Sequence, residues 1–199
     1  MITVITGPMK CGKSEEILKL IKRYKIAERN VVVFKPDIDN RFADDKVVSR
    51  DSNKVDCTVI PSENPEYIYS FIDSFTDVIV IDEAQFFAAQ VQASVTSCWH
   101  TTKETITKVV QSLSDKGHEV IVAGLDMTSD REPFNNMGDL MAIAHTVIKL
   151  KAVCEFCKKE EAIYTVALFD KKEDIVVGDK GYTVACPTCW IKHQKNKDT

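Results

Sequence analysis

Apolar residues in the first three quarters of the chain follow two rhythms. Short unbroken runs rich in β-branched residues alternate with longer stretches whose apolar positions recur every three or four residues. The unbroken runs are Ile2–Thr6, Val31–Phe34, Val78–Ile81 and Val120–Leu125. A strand that is apolar at every position is buried on both faces. The helical rhythm runs from Ser14 to about Glu28, with Ile17, Leu18, Ile21 and Tyr24 on one face. It recurs at Ile68, Phe71, Ile72 and Phe75, behind Asn64 as N-cap and Pro65 as first helical residue. A third helix carries Ile106, Val109, Val110 and Leu113 and stops at Gly117. Strands alternating with helices predict an α/β fold, a parallel sheet with right-handed crossovers and helices on both faces. Such sheets bind ligands beyond the carboxyl ends of their strands, so the residues after each run are where chemistry is expected.

After the first run comes Gly7-Pro8-Met9-Lys10-Cys11-Gly12-Lys13-Ser14, which fits G-x4-G-K-[ST] at every fixed position. It sits between a predicted strand and a predicted helix, the context this phosphate-binding loop requires. Its backbone N–H groups can turn inward around a polyphosphate, and the helix N-terminus adds partial positive charge. Lys13 is expected to reach the β and γ oxygens and Ser14 to ligate Mg²⁺. A glycine loop before an ordinary helix start is the plainer alternative; position and context favour the nucleotide. Cys11 is then a thiol beside phosphates, either sensitive to oxidation or only a small residue.

The third run ends in Asp82-Glu83. Asp82 at a strand tip can hold Mg²⁺, directly or through water, and Glu83 can act as general base beside the γ-phosphate. A solvated acidic turn is the alternative, and the phosphate loop tips the balance against it. What Glu83 deprotonates stays open: water in an ATPase, a substrate hydroxyl in a kinase. No N-K-x-D motif points to guanine.

From about residue 151 the pattern changes to short strand-like pieces around Cys154-x2-Cys157 and Cys186-x2-Cys189, with 28 residues between the pairs. Four thiolates close a tetrahedral Zn²⁺ site and leave no open position, so the expected metal is structural. Redox pairs would need a thioredoxin-like context. A ribbon that binds nucleic acid is the functional rival, with Lys158, Lys159, Lys192, Lys195 and Lys197 nearby. Against it stands the charge: 26 Lys and Arg face 30 Asp and Glu, a formal net charge of −4, where a nucleic-acid protein presents a basic face. A length of 199 residues allows one domain and a small appendage. The expected boundaries are a nucleotide-binding domain over 1–150 and a small four-cysteine zinc domain over 151–199. The opening run is too short for a signal peptide, and no stretch of 18 apolar residues offers a membrane span. A cytoplasmic protein with neither membrane nor nucleic acid as partner is expected.

Taken in order, the motifs carry a resemblance. The phosphate loop with Met9, then Lys35-Pro36-x-x-Asp39-x-Arg41, Asp82-Glu83-Ala84-Gln85-Phe86-Phe87, Ala123-Gly124-Leu125-Asp126, and a four-cysteine segment led by Leu150-x-Ala152-Val153-Cys154 together resemble the type II thymidine kinases. The resemblance covers nearly the whole chain. It implies a P-loop fold with a C-terminal zinc ribbon, and transfer of the ATP γ-phosphoryl group to the 5′-hydroxyl of thymidine, giving dTMP and ADP. By matching position, Glu83 takes the 5′ proton while Lys13, Ser14 and Asp82 manage phosphates and Mg²⁺. Ala84 and Gln85 continue the nucleotide-binding run. Asp39 and Arg41 fall near the transferred group, with Arg41 answering transition-state charge. Met9, Phe86, Leu125, Phe134 and Thr165 fall where the family lines its thymine pocket. Ile175, Val176, Val177, Gly178 and Tyr182 belong to the segment that closes over the base. Taken singly, without the motif register, Phe86, Leu125, Phe134, Thr165 and Tyr182 read as core sooner than as ligand contacts. The resemblance also implies a homotetramer. A pocket for one methyl discriminates by about 1–3 kcal/mol, so deoxyuridine is an expected second substrate. The chain departs from the family pattern at Lys10-Cys11, at Met127-Thr128-Ser129-Asp130, at Ala167, at the single glycine of Val177-Gly178, and in an extra segment over 88–105.

Overall fold

The computed structural model describes residues 1–38, 46–48, 54–87, 104–169 and 181–197. The chain enters through β1 (Ile2–Thr6), α1 (Lys13–Ile26), β2 (Val31–Pro36), a two-strand hairpin of β3 (Lys46–Val48) and β4 (Lys54–Asp56), and β5 (Thr58–Ile60). It continues through a 3-10 helix at Pro65–Phe71, β6 (Val78–Ile81), a 3-10 turn at Ala84–Phe86, α2 (Ile106–Asp115), β7 (Glu119–Gly124), α3 (Met137–Ile143) and β8 (Thr146–Lys149). Six strands form one sheet in the order β5-β2-β6-β7-β1-β8, with every pairing parallel.

The unbroken apolar runs explain that sheet. Side chains along a strand alternate between its two faces, and here both faces are covered. Val4, Phe34, Ile79, Ile81, Val120 and Val122 meet α2 and α3; Ile5, Val33, Val78, Val80, Ile121 and Ala123 meet α1. The expected α/β architecture with helices on both faces is the one observed. Helix α1 docks through Ile17, Leu20, Ile21 and Tyr24, so Leu20 takes the place the spacing gave to Leu18. Helix α2 buries all four of its expected residues, and the Thr105 hydroxyl caps it by accepting the Lys108 N–H.

The helix expected across Ile68 to Phe75 is a correction. The structure has a 3-10 helix that ends at Phe71, and Phe75 is 74% exposed. Asp73 provides the reason. Its carboxylate accepts from the Phe75 N–H and the Thr76 hydroxyl, both at 3.0 Å. Such local side-chain bonds compete with helix continuation.

Beyond β8 the elements are small. β9 (Ala152–Val153) pairs antiparallel with β10 (Glu161–Ala162), β11 (Tyr164–Ala167) with β12 (Tyr182–Ala185), and α4 (Pro187–Lys197) follows. Among the described residues no helix is long and apolar enough to cross a membrane.

Candidate active site

The loop over 7–14 leaves the carboxyl end of β1 and is closely packed beneath. A Cβ on Gly7, at φ 142°, would stand 2.4 Å from the Leu150 carbonyl oxygen, so only glycine fits there. The Leu150 N–H donates to the Thr6 carbonyl at 2.7 Å, and the Thr6 hydroxyl donates to the Gly124 carbonyl at 2.9 Å. These bonds fix the loop's root between β7 and β8. Gly12, left-handed at φ 87°, occupies the N-cap of α1 and brings no side chain to the helix's first N–H groups, which are the donors an anion uses. Lys13 Nζ donates to the Pro8 carbonyl at 3.0 Å and lies 3.8 Å from Cys11 Sγ. Burial pushes the Cys11 thiol above its ordinary value against the pull of Lys13. That direction is opposite to the one an activated thiolate needs. Ser14 stands in the first turn of α1, half-buried.

The two acids follow β6. Asp82 is buried, and its Oδ1 accepts the Glu83 N–H at 2.9 Å. Glu83 is left-handed (φ 51°, ψ 40°), a conformation that costs a non-glycine residue about 1–3 kcal/mol and concentrates at functional sites. Gln85 holds it there. This fully buried amide donates to Glu83 Oε2 at 2.5 Å and accepts the Leu125 N–H at 3.0 Å through Oε1. Gly124 makes room, since a Cβ there would sit 2.6 Å from Gln85 Oε1. Asn135 and Asn136 donate to the carbonyls of Gln85 and Phe87. Ala84 is buried beneath the same turn. Asp126, one residue beyond Leu125 and 3% exposed, pairs with Lys149 at 2.7 Å.

Beside these acids lies an apolar cluster. Met9, Leu125 and Phe134 are each under 10% exposed and pack with Phe86, Tyr182 and the cysteine segment. Phe86 and Phe134 meet edge to face at 5.9 Å. Met9, Phe86, Leu125, Phe134 and Tyr182, named separately in sequence, thus come together on the carboxyl side of the sheet. Thr165 joins them through its hydroxyl, which accepts the Met9 N–H at 3.0 Å. The unusual stretch 127–130 folds into a tight return closed by the Met127–Pro133 bridge. It delivers Arg131 over Tyr164 and Trp190, at 4.7 and 4.4 Å from their ring centres. Lys10 reaches Glu155 with contacts of 2.9 and 2.8 Å, and the Thr183 hydroxyl donates to the same carboxylate at 2.6 Å.

The four cysteines meet across this segment. Sγ of Cys154, Cys157, Cys186 and Cys189 all lie within 4.8 Å of one another. Thiolates around one Zn²⁺ at about 2.3 Å would stand near 3.8 Å apart, so the donor set fits. The thiols divide their protons unequally. Burial opposes ionisation of Cys154, yet the N–H groups of Cys157, Cys186 and Phe156 draw it down to about 6; burial and the other three thiols push Cys189 up to about 12. A divalent cation relieves that mutual repulsion. The cluster is compatible with a zinc site.

Asp39, Arg41, Ile175, Val176, Val177 and Gly178 lie outside the described residues, as does most of the 88–105 segment. Sequence reasoning missed Glu155, Thr183 and Arg131. The acid inside the first cysteine pair was the one available signal; the other two partners are joined only by the fold.

A family model described as "Thymidine kinase" matches residues 1–190. Two proteins named "Thymidine kinase", from Porphyromonas gingivalis strain W83 and a second strain of that species, are each 38% identical to the chain over 192 residues, covering 96% of this chain and 85% of theirs.

Proposed function

The chain belongs to the thymidine kinase family, and from that premise we propose that it transfers the γ-phosphoryl group of ATP to the 5′-hydroxyl of thymidine, releasing ADP and dTMP. The observation that carries this reading is one juxtaposition. A phosphate loop, an acid pair and an apolar cluster built from four separate segments come together at the carboxyl ends of the sheet's central strands β1, β6 and β7.

In this reading the N–H groups of Gly7–Ser14 and the first turn of α1 hold the β and γ phosphates. Lys13 exchanges the Pro8 carbonyl for phosphate oxygens. Ser14 and Asp82 would hold Mg²⁺, which would neutralise phosphate charge. Glu83 accepts the proton of the 5′-hydroxyl as that oxygen forms its bond to phosphorus and the bond to the β-phosphate oxygen breaks. Gln85 keeps one Glu83 oxygen occupied and so aims the other. Asp39 and Arg41 act on the transferred group. The base lies against Met9, Phe86, Leu125, Phe134 and Tyr182, with Thr165 behind the loop and Ile175–Gly178 closing over it. Residues 1–150 form the kinase domain and 151–199 the lasso, fastened by one Zn²⁺ on Cys154, Cys157, Cys186 and Cys189. We place the enzyme in the cytoplasm as a homotetramer.

The test is ATP consumption with thymidine, deoxyuridine, deoxycytidine or no nucleoside. Turnover should require thymidine or deoxyuridine, and Glu83→Gln should lower kcat by about 10²- to 10⁴-fold. ATP turnover that ignores nucleosides would replace the kinase with an ATPase in which Glu83 activates water.

A further inference from the structure

We propose that Glu155 is a positioning residue for the donor nucleotide, acting through Lys10, so that the four-cysteine knuckle helps to set the shape of the phosphate loop. The inference rests on reading residues 7–14 as the donor site.

Two consecutive residues at the crest of that loop are tied to the ribbon. The Met9 N–H is held by Thr165 on β11. Lys10 reaches both oxygens of Glu155, and the two side chains are only 20% and 37% exposed. Lys10 is left-handed at φ 61°, a region that lysine seldom occupies without an external hold. Its charge is answered by Glu155, so it acts here as an anchor and not as a second phosphate lysine. Glu155 is itself fixed from three sides. Its N–H donates to the Val184 carbonyl at 3.0 Å, the Thr183 hydroxyl donates to its carboxylate, and it lies inside the Cys154–Cys157 turn closed by Lys158 N–H to the Cys154 carbonyl at 2.9 Å. The cysteine pair therefore places Glu155, Glu155 places Lys10, and Lys10 places the loop. A residue of the 7–14 loop is thus held by the four-cysteine segment.

Equilibrium binding of a fluorescent ATP analogue to the zinc-loaded full chain, with no nucleoside present, tests this apart from phosphoryl transfer. Glu155→Gln and Lys10→Met should each weaken binding by about threefold to tenfold, and the double variant should be no weaker than either single one. Lys10→Arg, which keeps the pair, should stay near wild type. Metal analysis should find Glu155→Gln fully zinc-loaded, so that the loss is not collapse of the ribbon. Chelating zinc should weaken wild type by a similar factor and add little in Lys10→Met. Unchanged binding in Glu155→Gln overturns the inference. So does tighter binding, which would mean that Glu155 restrains a lysine that otherwise grips phosphate.

Discussion

The sheet and the cysteine segment hold themselves together differently. Among the described residues the large fully buried side chains, Phe34, Phe87 and Ile5 among them, all lie at or before Leu140. Beyond residue 150 the buried residues among those described are small: Ala152, Ala162, Thr165, Val166, Ala167, Thr183, Val184, Ala185 and two cysteines. The sheet can stand on apolar burial. Two short hairpins and one helix bury too little to do so and need a staple. They are also the part that touches the 7–14 loop, through Met9 and Lys10. In the proposed reading the reacting groups stand on the sheet, and the loop they share is braced by the four-cysteine segment.

The sharpest way to break this contrast is to remove the metal. Structural zinc contributes on the order of 10 kcal/mol or more to the folding of small domains that depend on it. Stripping it, or making Cys154→Ser, should expose residues beyond 150 to protease while the sheet keeps its protection. Coincident digestion of both regions would contradict the contrast. Phe34→Ala should cost about 3–5 kcal/mol in the denaturant transition of the sheet. Val184→Ala removes two buried methyl groups at about 0.8 kcal/mol each and should move that transition less. Thr165→Val leaves the buried Met9 N–H without its acceptor, a loss of about 1–3 kcal/mol. It should appear as weaker nucleotide binding with the sheet's urea midpoint little changed. The smallest effect lies at the opposite, amino end of the strands, at the start of β7. Tyr24 donates to Glu119, which also pairs with Arg29 at 2.6 Å. Burial and that carboxylate push the Tyr24 hydroxyl from 10.0 up to about 12. A folded value raised in this way means stability kept below pH 10 and lost as pH climbs toward 12. Urea midpoints of wild type and Tyr24→Phe should converge over that interval.

The same division decides what could be read from sequence. Ile2–Thr6 and Val78–Ile81 were visible to the residue, because strands buried on both faces leave unbroken apolar runs. The phosphate loop and the acid pair follow directly from those strands, so their spacing along the chain is also their spacing in space. The edge strand β8 was missed because three of its four residues are exposed and carry no such run. The apolar rhythm to Phe75 predicts a longer helix than the 3-10 helix at Pro65–Phe71, because the Asp73 bonds outcompete it. Around the cluster, sequence named Met9, Phe86, Leu125, Phe134 and Tyr182 through resemblance alone. The bonds that assemble them, Thr165 to Met9 and Gln85 to Leu125, join residues 156 and 40 positions apart. No local pattern encodes such a pairing. The Lys10–Glu155 pair was hidden for the same reason, at a separation of 145.

The central claim is that one site has two halves, a phosphate half built on the sheet and a base half that depends on the ribbon. Calorimetric titration of thymidine and of a non-hydrolysable ATP analogue, each into zinc-loaded and zinc-stripped protein, tests it most directly. The account predicts that stripping zinc abolishes measurable thymidine binding and weakens the nucleotide only several-fold. Thymidine binding that survives the loss of zinc, or equal loss of both ligands, would contradict it.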